Sequence, residues 1–268
     1  MTQRIAILGA GVMGETLLSA ILASGHPSGD LVISEKRDER AADLRDAYGV
    51  EVTGNAEAVA EADIVLVVVK PQDVASLLEE ISATVPASAT VVSLAAGIRI
   101  AAIEAVLPEG VAVVRAMPNT PALVGEGMFG ISAAPSVTDG QLAAVVTLLE
   151  AGGKVVVVEE SLQDAVTAVS GSGPAYVFYL AEAMIAGGVA EGLDPATART
   201  LAAQTLVGAA KLLAESTESA EELRRRVTSP HGTTHAAITT FDERGVKDGL
   251  IAGVAACAAR SAELSRPQ

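Results

Sequence analysis

Ile5 to Leu8 is a short unbroken apolar run, and from Val12 to Leu22 the apolar positions recur at helical spacing. The pair predicts a strand followed by a helix. The same change of period repeats along the first part of the chain. Leu31 to Ser34 predicts a second strand, Arg37 to Ala47 a helix, Val50 to Val52 a short strand and Ala56 to Ala60 a helical turn. Ile64 to Val69 is continuous and rich in β-branched residues, as a parallel strand covered on both faces must be. Lys70-Pro71 ends it, and a helix is expected over Val74 to Ile81. A strand follows at Thr90 to Ser93 and a helix at Ile100 to Val106. Strands are expected at Val111 to Arg115 and Gly127 to Ser132, a helix at Thr138 to Leu149 and a last strand at Lys154 to Val158. Strand and helix alternating throughout predict an α/β layered domain with right-handed crossover helices. Its ligand should lie across the carboxyl ends of the strands.

Beyond Val158 the β-branched runs stop. Helical spacing covers Ser161 to Val169, Tyr176 to Ala190, Pro195 to Leu213, Ala220 to Val227, Thr233 to Phe241 and Val246 to Leu264. Asp194 before Pro195 is a capping residue followed by a first-turn proline. The chain therefore reads as two domains, an α/β domain over 1–158 and an all-helical domain over 159–268. The helix from Pro195 to Leu213 carries Leu, Val and Ala on several sides, so more than one of its faces wants burial. In so short a domain, part of that burial is expected against a second copy of the chain, which predicts a homodimer.

The first strand runs into Gly9, Gly11 and Gly14, and the helix follows. This is the G-x-G-x-x-G spacing of a dinucleotide site. Gly9 allows the tight turn, Gly11 lets a diphosphate approach the backbone, and Gly14 lets the helix pack on the sheet. The N–H groups and positive dipole end around Val12 and Met13 then face the phosphates.

Composition narrows the reading further. Half of the 268 residues are apolar, yet only 2% are aromatic and Trp is absent. The core is therefore built from Ala, Val, Leu and Ile, and its helices pack closely. A formal net charge of −15 argues against a nucleic-acid partner, which needs clustered Lys and Arg, but not against a small anion held locally. Cys257 is the only cysteine, inside an apolar run. A buried thiol in a reducing compartment is expected, and the chain enters its first strand at once, so a cytoplasmic location is expected. No apolar stretch reaches the roughly 18–20 residues of a membrane span.

The strand ends carry the candidate chemistry. Ser34-Glu35-Lys36-Arg37 closes the second strand. A carboxylate there suits the ribose 2′-hydroxyl of NAD, whereas a basic, hydroxyl-bearing turn suits the extra phosphate of NADP. The two signals oppose each other; Arg37, with its bidentate fork, tips the expectation to NADP(H), with NAD(H) also open. Val69-Lys70-Pro71 turns the chain after the most buried strand, with Lys70 available to phosphates or simply snorkelling. Ser93 to Gly97, including Ala95, is small enough to leave room for a flat ring. In Ala116 to Pro121 two prolines stiffen a loop that presents Asn119 and Thr120, expected to line a nicotinamide pocket. Ser170-Gly171-Ser172-Gly173-Pro174-Ala175 precedes a long helix; its small residues are expected to allow close approach of the two domains, or simply to start that helix. Thr228-Ser229-Pro230-His231-Gly232-Thr233-Thr234 ends one helix and begins another, so its N–H groups and hydroxyls can converge on a small carboxylate or merely cap the helix. His231 and His235 are four apart, but His26 is the only other histidine, and zinc wants three or four ligands; no metal is expected.

Taken together, GAGVMG at 9–14, KP at 70–71, SLAAGI at 93–98, RAMPNTP at 115–121, SGSGPAYVF at 170–178 and TSPHGTT at 228–234 resemble the pyrroline-5-carboxylate reductase family nearly end to end. The resemblance implies NAD(P)H-dependent reduction of Δ1-pyrroline-5-carboxylate to L-proline. It implies a Rossmann-type domain with a helical domain that interlocks with a partner, and larger rings of dimers such as a decamer. It further implies that Ser229, Gly232, Thr233 and Thr234 hold the substrate carboxylate and ring nitrogen, with Thr234 nearest the nitrogen and catalytic by orientation. The neighbouring subunit would complete that site. Asn55 matches a position that contacts the adenosine ribose or its 2′-phosphate. One departure stands out: His231 occupies a usual glycine position, which costs roughly 1 kcal/mol if φ is positive there. The rivals are a 3-hydroxy acid dehydrogenase-like reductase and a non-catalytic NAD(P)H-binding protein. The first uses a lysine on the first long helix of its second domain, and Gly173 to Glu191 contains none.

Overall fold

The computed structural model describes residues 3–265. By compactness they form two units: one runs to Ser172 and resumes at Cys257, and the other is Gly173–Ala256.

The first unit is built on one eight-stranded sheet. Its strands are β1 (Ile5–Leu8), β2 (Leu31–Ser34), β3 (Glu51–Thr53), β4 (Ile64–Val67), β5 (Thr90–Ser93), β6 (Ala112–Met117), β7 (Gly127–Ala133) and β8 (Gly153–Val157). Their order is β3-β2-β1-β4-β5-β6-β7-β8. The helices between them are α1 (Val12–Ala23), α2 (Asp38–Tyr48), α3 (Asn55–Val59), α4 (Val74–Ile81), α5 (Ile100–Glu104) and α6 (Asp139–Glu150). The four residues of β1 are all buried, and they alternate between the two faces of the sheet. Ile5 and Ile7 join the core that includes Leu17, Leu44 and Phe129, whereas Ala6 and Leu8 join the core that includes Leu77, Ile81 and Val113. Burial on both faces explains why these strands read as continuous apolar runs. With β1 central and β2 and β4 on either side, the strand order reverses at β1, and a cleft opens at its carboxyl end.

The expected helix-by-helix alternation fails between β6 and β7. These strands are antiparallel, with Ala116 opposite Ile131. Residues 118–126 hold two prolines and only a 3₁₀ turn, Thr120–Val124. A parallel crossover needs about a dozen residues or more, usually with a helix.

The expected helix over Ser161 to Val169 is also broken. It consists of a 3₁₀ turn at Glu160–Leu162, the short helix α7 (Gln163–Val166) and a π-turn over Thr167–Gly171. The reason is contact with the sheet. Gln163 is fully buried, and its Nε2 donates to the Gly130 carbonyl (3.1 Å) and Ser132 Oγ (2.8 Å). Val166 occupies the space that a side chain on Gly130 would need. These contacts draw residues after 158 into the first unit.

The second unit contains α8 (Gly173–Ala190), α9 (Pro195–Glu215), α10 (Ala220–Arg226), α11 (Thr233–Glu243) and the first part of α12 (Val246–Leu264). The expected cap of α9 is present: Asp194 Oδ1 accepts from the N–H groups of Ala196 and Thr197, both at 3.1 Å. Gly188 on α8 leaves room for Leu193 and Ala198, so α8 and α9 pack closely. In the single chain α8 nonetheless buries no residue, and Phe178 and Tyr179 are 62% and 73% exposed. Apolar surface on this scale marks a protein-contact face. The last turns of α12 return to the first unit, where Ser261 Oγ donates to Asp164 Oδ1 (2.6 Å). Cys257 is half-buried rather than buried as expected, and its thiol donates to Ser172 Oγ at 3.2 Å. Among the described residues no helix is long and apolar enough to cross a membrane.

Candidate functional site

At the end of β1 the three glycines differ in what surrounds them. Gly9 has φ +100°, and a Cβ on it would lie 3.0 Å from both the Val68 carbonyl and the Val69 side chain. A Cβ on Gly14 would collide with the Gly9 carbonyl. At Gly11 a Cβ would meet nothing within 4 Å. The first two glycines are therefore demanded by the protein's own packing. The third faces open space in front of the amino end of α1, whose first-turn N–H groups have no acceptor within the helix. That is the cradle a diphosphate requires, and the residues fit a dinucleotide.

A cleft of about 590 Å³ lies at the carboxyl ends of β1, β2 and β4. It brings together Gly9, Gly11, Ser34, Lys36, Arg37, Asn55, Val69 and Lys70, gathered from four separate stretches of sequence. An adjoining hollow, also about 590 Å³, shares Ser34, Glu35, Lys36 and Asn55. The opposed signals of the β2 turn resolve into one ion pair. Arg37 donates from its backbone N–H and from Nε to Glu35 Oε1 (2.9 and 3.0 Å) and from a terminal nitrogen to Oε2 (3.0 Å). The Arg37 hydrogen bonds hold the Glu35 carboxyl below its ordinary pKa, and Glu35 in turn raises that of Arg37. Asn55 is buried, and its Nδ2 donates to Glu80 Oε2 at 2.9 Å. Glu80 has no sequence signal: it is a polar residue on an ordinary amphipathic helix.

The remaining expected cofactor residues of this unit lie outside that cleft. Val12 is 70% exposed and lines a separate hollow with Glu15 and Leu123. Met13 packs partly against the core, Gly14 lies under Gly9, and Pro71 opens a 3₁₀ turn. Ala95 is buried, while Gly97, at φ +78°, sits 3.5 Å from the Leu264 carbonyl by its would-be Cβ. Thr120 is exposed at the start of its 3₁₀ turn. The Asn119 side chain is spent within the protein: Nδ2 donates to the Ser170 carbonyl (3.2 Å), and Oδ1 accepts from Met128 N–H (2.8 Å). It ties the proline-framed loop to β7 and to the π-turn. The buried Arg115 has a similar part, since it and the Ile100 N–H both reach Glu160 Oε1, at 3.3 and 2.8 Å.

In the second unit, Gly232 is the N-cap residue of α11 with extended backbone, and no side chain caps the helix. Ser229 and Gly232 are in contact: Gly232 N–H donates to the Ser229 carbonyl (3.0 Å), and a Cβ on Gly232 would strike Ser229 Oγ. The loop thus delivers Ser229, Gly232, Thr233 and Thr234 to one helix end with its first-turn N–H groups available. His231 has φ +59°, the one non-glycine residue in that region among those described. Its ring centroid is 6.0 Å from that of His235. Replacement of His231 by glycine is expected to stabilise the fold by about 1 kcal/mol, a rise in Tm of a few degrees in thermal unfolding. A lower Tm would show that the backbone there is not strained.

Comparison with known proteins adds to this geometry. Residues 160–264 match the family model described as pyrroline-5-carboxylate reductase dimerisation, and residues 4–97 match that of NADP oxidoreductase, coenzyme F420-dependent. A pyrroline-5-carboxylate reductase of Corynebacterium melassecola is 44% identical over 266 residues, 98% of each chain. The structure of a pyrroline-5-carboxylate reductase from Coxiella burnetii superimposes with a TM-score of 0.95 at 32% identity, covering 100% of both chains. A Plasmodium falciparum pyrroline carboxylate reductase, solved with NADP bound, gives 0.87 at 26% identity, covering 98% of both.

Proposed function

The chain belongs to the pyrroline-5-carboxylate reductase family, and from that premise we propose that it reduces Δ1-pyrroline-5-carboxylate to L-proline, the last step of proline biosynthesis, with NAD(P)H as the hydride donor. The observation that carries this reading is likeness along essentially the whole chain, in sequence and in fold.

When bound, the reduced nicotinamide supplies the hydride that goes to C5 of the cyclic imine. The protein's part is placement. The glycine loop and the amino end of α1 hold the diphosphate, and Lys36, Arg37, Ser34 and Asn55 meet the adenosine ribose and its 2′ substituent. Val69, Lys70 and Pro71 border the phosphates. Ala95 and Gly97 bound the ring site through backbone and small side chains. Asn119 holds its loop in position so that Thr120 can line the ring pocket. At the amino end of α11, N–H groups with Ser229 and Thr233 anchor the substrate carboxylate, and Thr234 orients the ring nitrogen. The iminium accepts hydride better than the neutral imine, and its proton comes from solvent, so no side chain need serve as general acid. Proximity is then the main catalytic contribution. The exposed apolar face of α8 supports a homodimer; a ring of such dimers and a cytoplasmic location rest on the family resemblance alone. The partner completes the substrate site.

Coenzyme oxidation followed by absorbance, with Δ1-pyrroline-5-carboxylate added and proline measured as product, tests the reading. Oxidation matched by an equal amount of proline is expected; coenzyme binding without turnover would leave only a sensor of NAD(P)H. Arg37→Ala is expected to weaken NADPH roughly tenfold and NADH by less than threefold in fluorescence titration, because only NADPH brings the phosphate that the guanidinium fork suits. Equal weakening would remove Arg37 from phosphate recognition.

A further inference from the structure

Two of the four side chains expected at the adenosine ribose, Arg37 and Asn55, are held by carboxylates. Arg37 is bidentate on Glu35, and Asn55 donates to Glu80 at 2.9 Å. Glu80 lies near the end of α4, far from the glycine loop in sequence, and lines the same hollow as Ser34, Glu35 and Asn55. We propose that Glu80 is a specificity-determining residue that lowers the affinity of this subsite for a 2′-phosphate, so that the chain uses NADH alongside NADPH. The proposal rests on the coenzyme reading given above.

The chemistry of the two coenzymes differs at one group. A 2′-hydroxyl donates one hydrogen bond, and a carboxylate is a good acceptor for it. A 2′-phosphate is close to a dianion with acceptor oxygens alone, and it needs donors with no carboxylate nearby. Asn55 and Arg37 keep further N–H donors to offer it, but the carboxylates they hold, Glu80 and Glu35, stay beside the incoming charge. The hollow is lined by the acidic side chains Glu35, Asp38 and Glu80 and by the basic ones Lys36 and Arg45. Arg45 is further committed to the Val52 carbonyl, at 2.8 Å. Glu35 is neutralised by its pair with Arg37, which leaves Glu80 as the carboxylate in direct contact with the expected phosphate donor Asn55. Glu80 is exposed and outside the core, so its replacement alters charge without disturbing the packing.

The test is fluorescence titration of NADPH and NADH into the full-length wild-type protein and its Glu80→Gln and Glu80→Ala variants, at low and raised salt. Glutamine keeps an acceptor for Asn55 and loses the charge; alanine loses both. In each variant the Kd for NADPH is expected to fall about fivefold at low salt, with the Kd for NADH within twofold of wild type. The advantage should shrink as salt screens the repulsion in the wild type. Unchanged NADPH affinity, equal change for both coenzymes, or a shift in only one variant would overturn the role of Glu80. A wild-type protein that binds neither coenzyme would overturn the coenzyme reading itself, and this proposal with it.

Discussion

Gly11→Val is expected to abolish coenzyme binding while leaving the fold intact. The Cβ position at Gly11 is open, with no protein atom within 4 Å, so the branch point of the valine meets no neighbour in the folded chain. It enters the space in front of α1 that a diphosphate must occupy, where the backbone N–H groups are the binding surface. Fluorescence titration with NADPH should show affinity reduced by about a hundredfold or more, while the thermal transition stays within a few degrees of wild type. Gly14→Ala should instead lower the thermal transition as well, since its Cβ collides with the Gly9 carbonyl and the turn must move. Retained NADPH affinity in Gly11→Val would refute the phosphate-loop reading.

This contrast bears on how much of the molecule could be read from sequence. The G-x-G-x-x-G spacing identifies the turn, but only the surroundings separate a glycine required by packing from one required by a ligand. Strands β1, β2 and β5 and helices α4 and α12 are legible to the residue, because burial on both faces makes unbroken apolar runs and helical burial makes a period. What escapes is whatever depends on partners distant in sequence. The π-turn at Thr167–Gly171 follows from Gln163 and Val166 meeting β7, and helical periodicity carries no trace of that. The antiparallel β6–β7 pair was open to inference from Pro118 and Pro121, which leave too short a path for a crossover. Asn119 stands out in sequence as a polar residue on a stiff loop, yet its amide is used to fasten that loop to Ser170 and Met128. Glu35 and Arg37 give contradictory coenzyme signals until their ion pair is seen. The left-handed backbone at His231 is legible only through the glycine that the family motif places there.

Thr234→Ala is expected to lower kcat/KM for Δ1-pyrroline-5-carboxylate by about a hundredfold, with the Kd for NADPH within twofold of wild type. Thr234 lies in the first turn of α11, beside the uncapped Gly232. Thr228, just past α10, and Thr240, within α11, spend their hydroxyls on carbonyls four residues back, at 2.7 and 3.0 Å. The hydroxyl of Thr234 is instead proposed to hold the imine nitrogen, so that C5 faces the hydride donor; losing that alignment costs on the order of a hundredfold in rate. Steady-state kinetics with substrate and coenzyme varied separately would check this. Unchanged turnover would remove Thr234 from the reaction, and an equal loss of NADPH affinity would mark the effect as structural.

The claim beneath the rest is that a helix end near the carboxyl terminus grips a small acid. The crystal structure of the assembled enzyme with L-proline and oxidised coenzyme tests it directly. The proline carboxylate is predicted within hydrogen-bond distance of the N–H groups of residues 232–234, with its nitrogen at Thr234 Oγ1 and its C5 facing the nicotinamide ring. A carboxylate bound away from residues 229–234 would contradict the account.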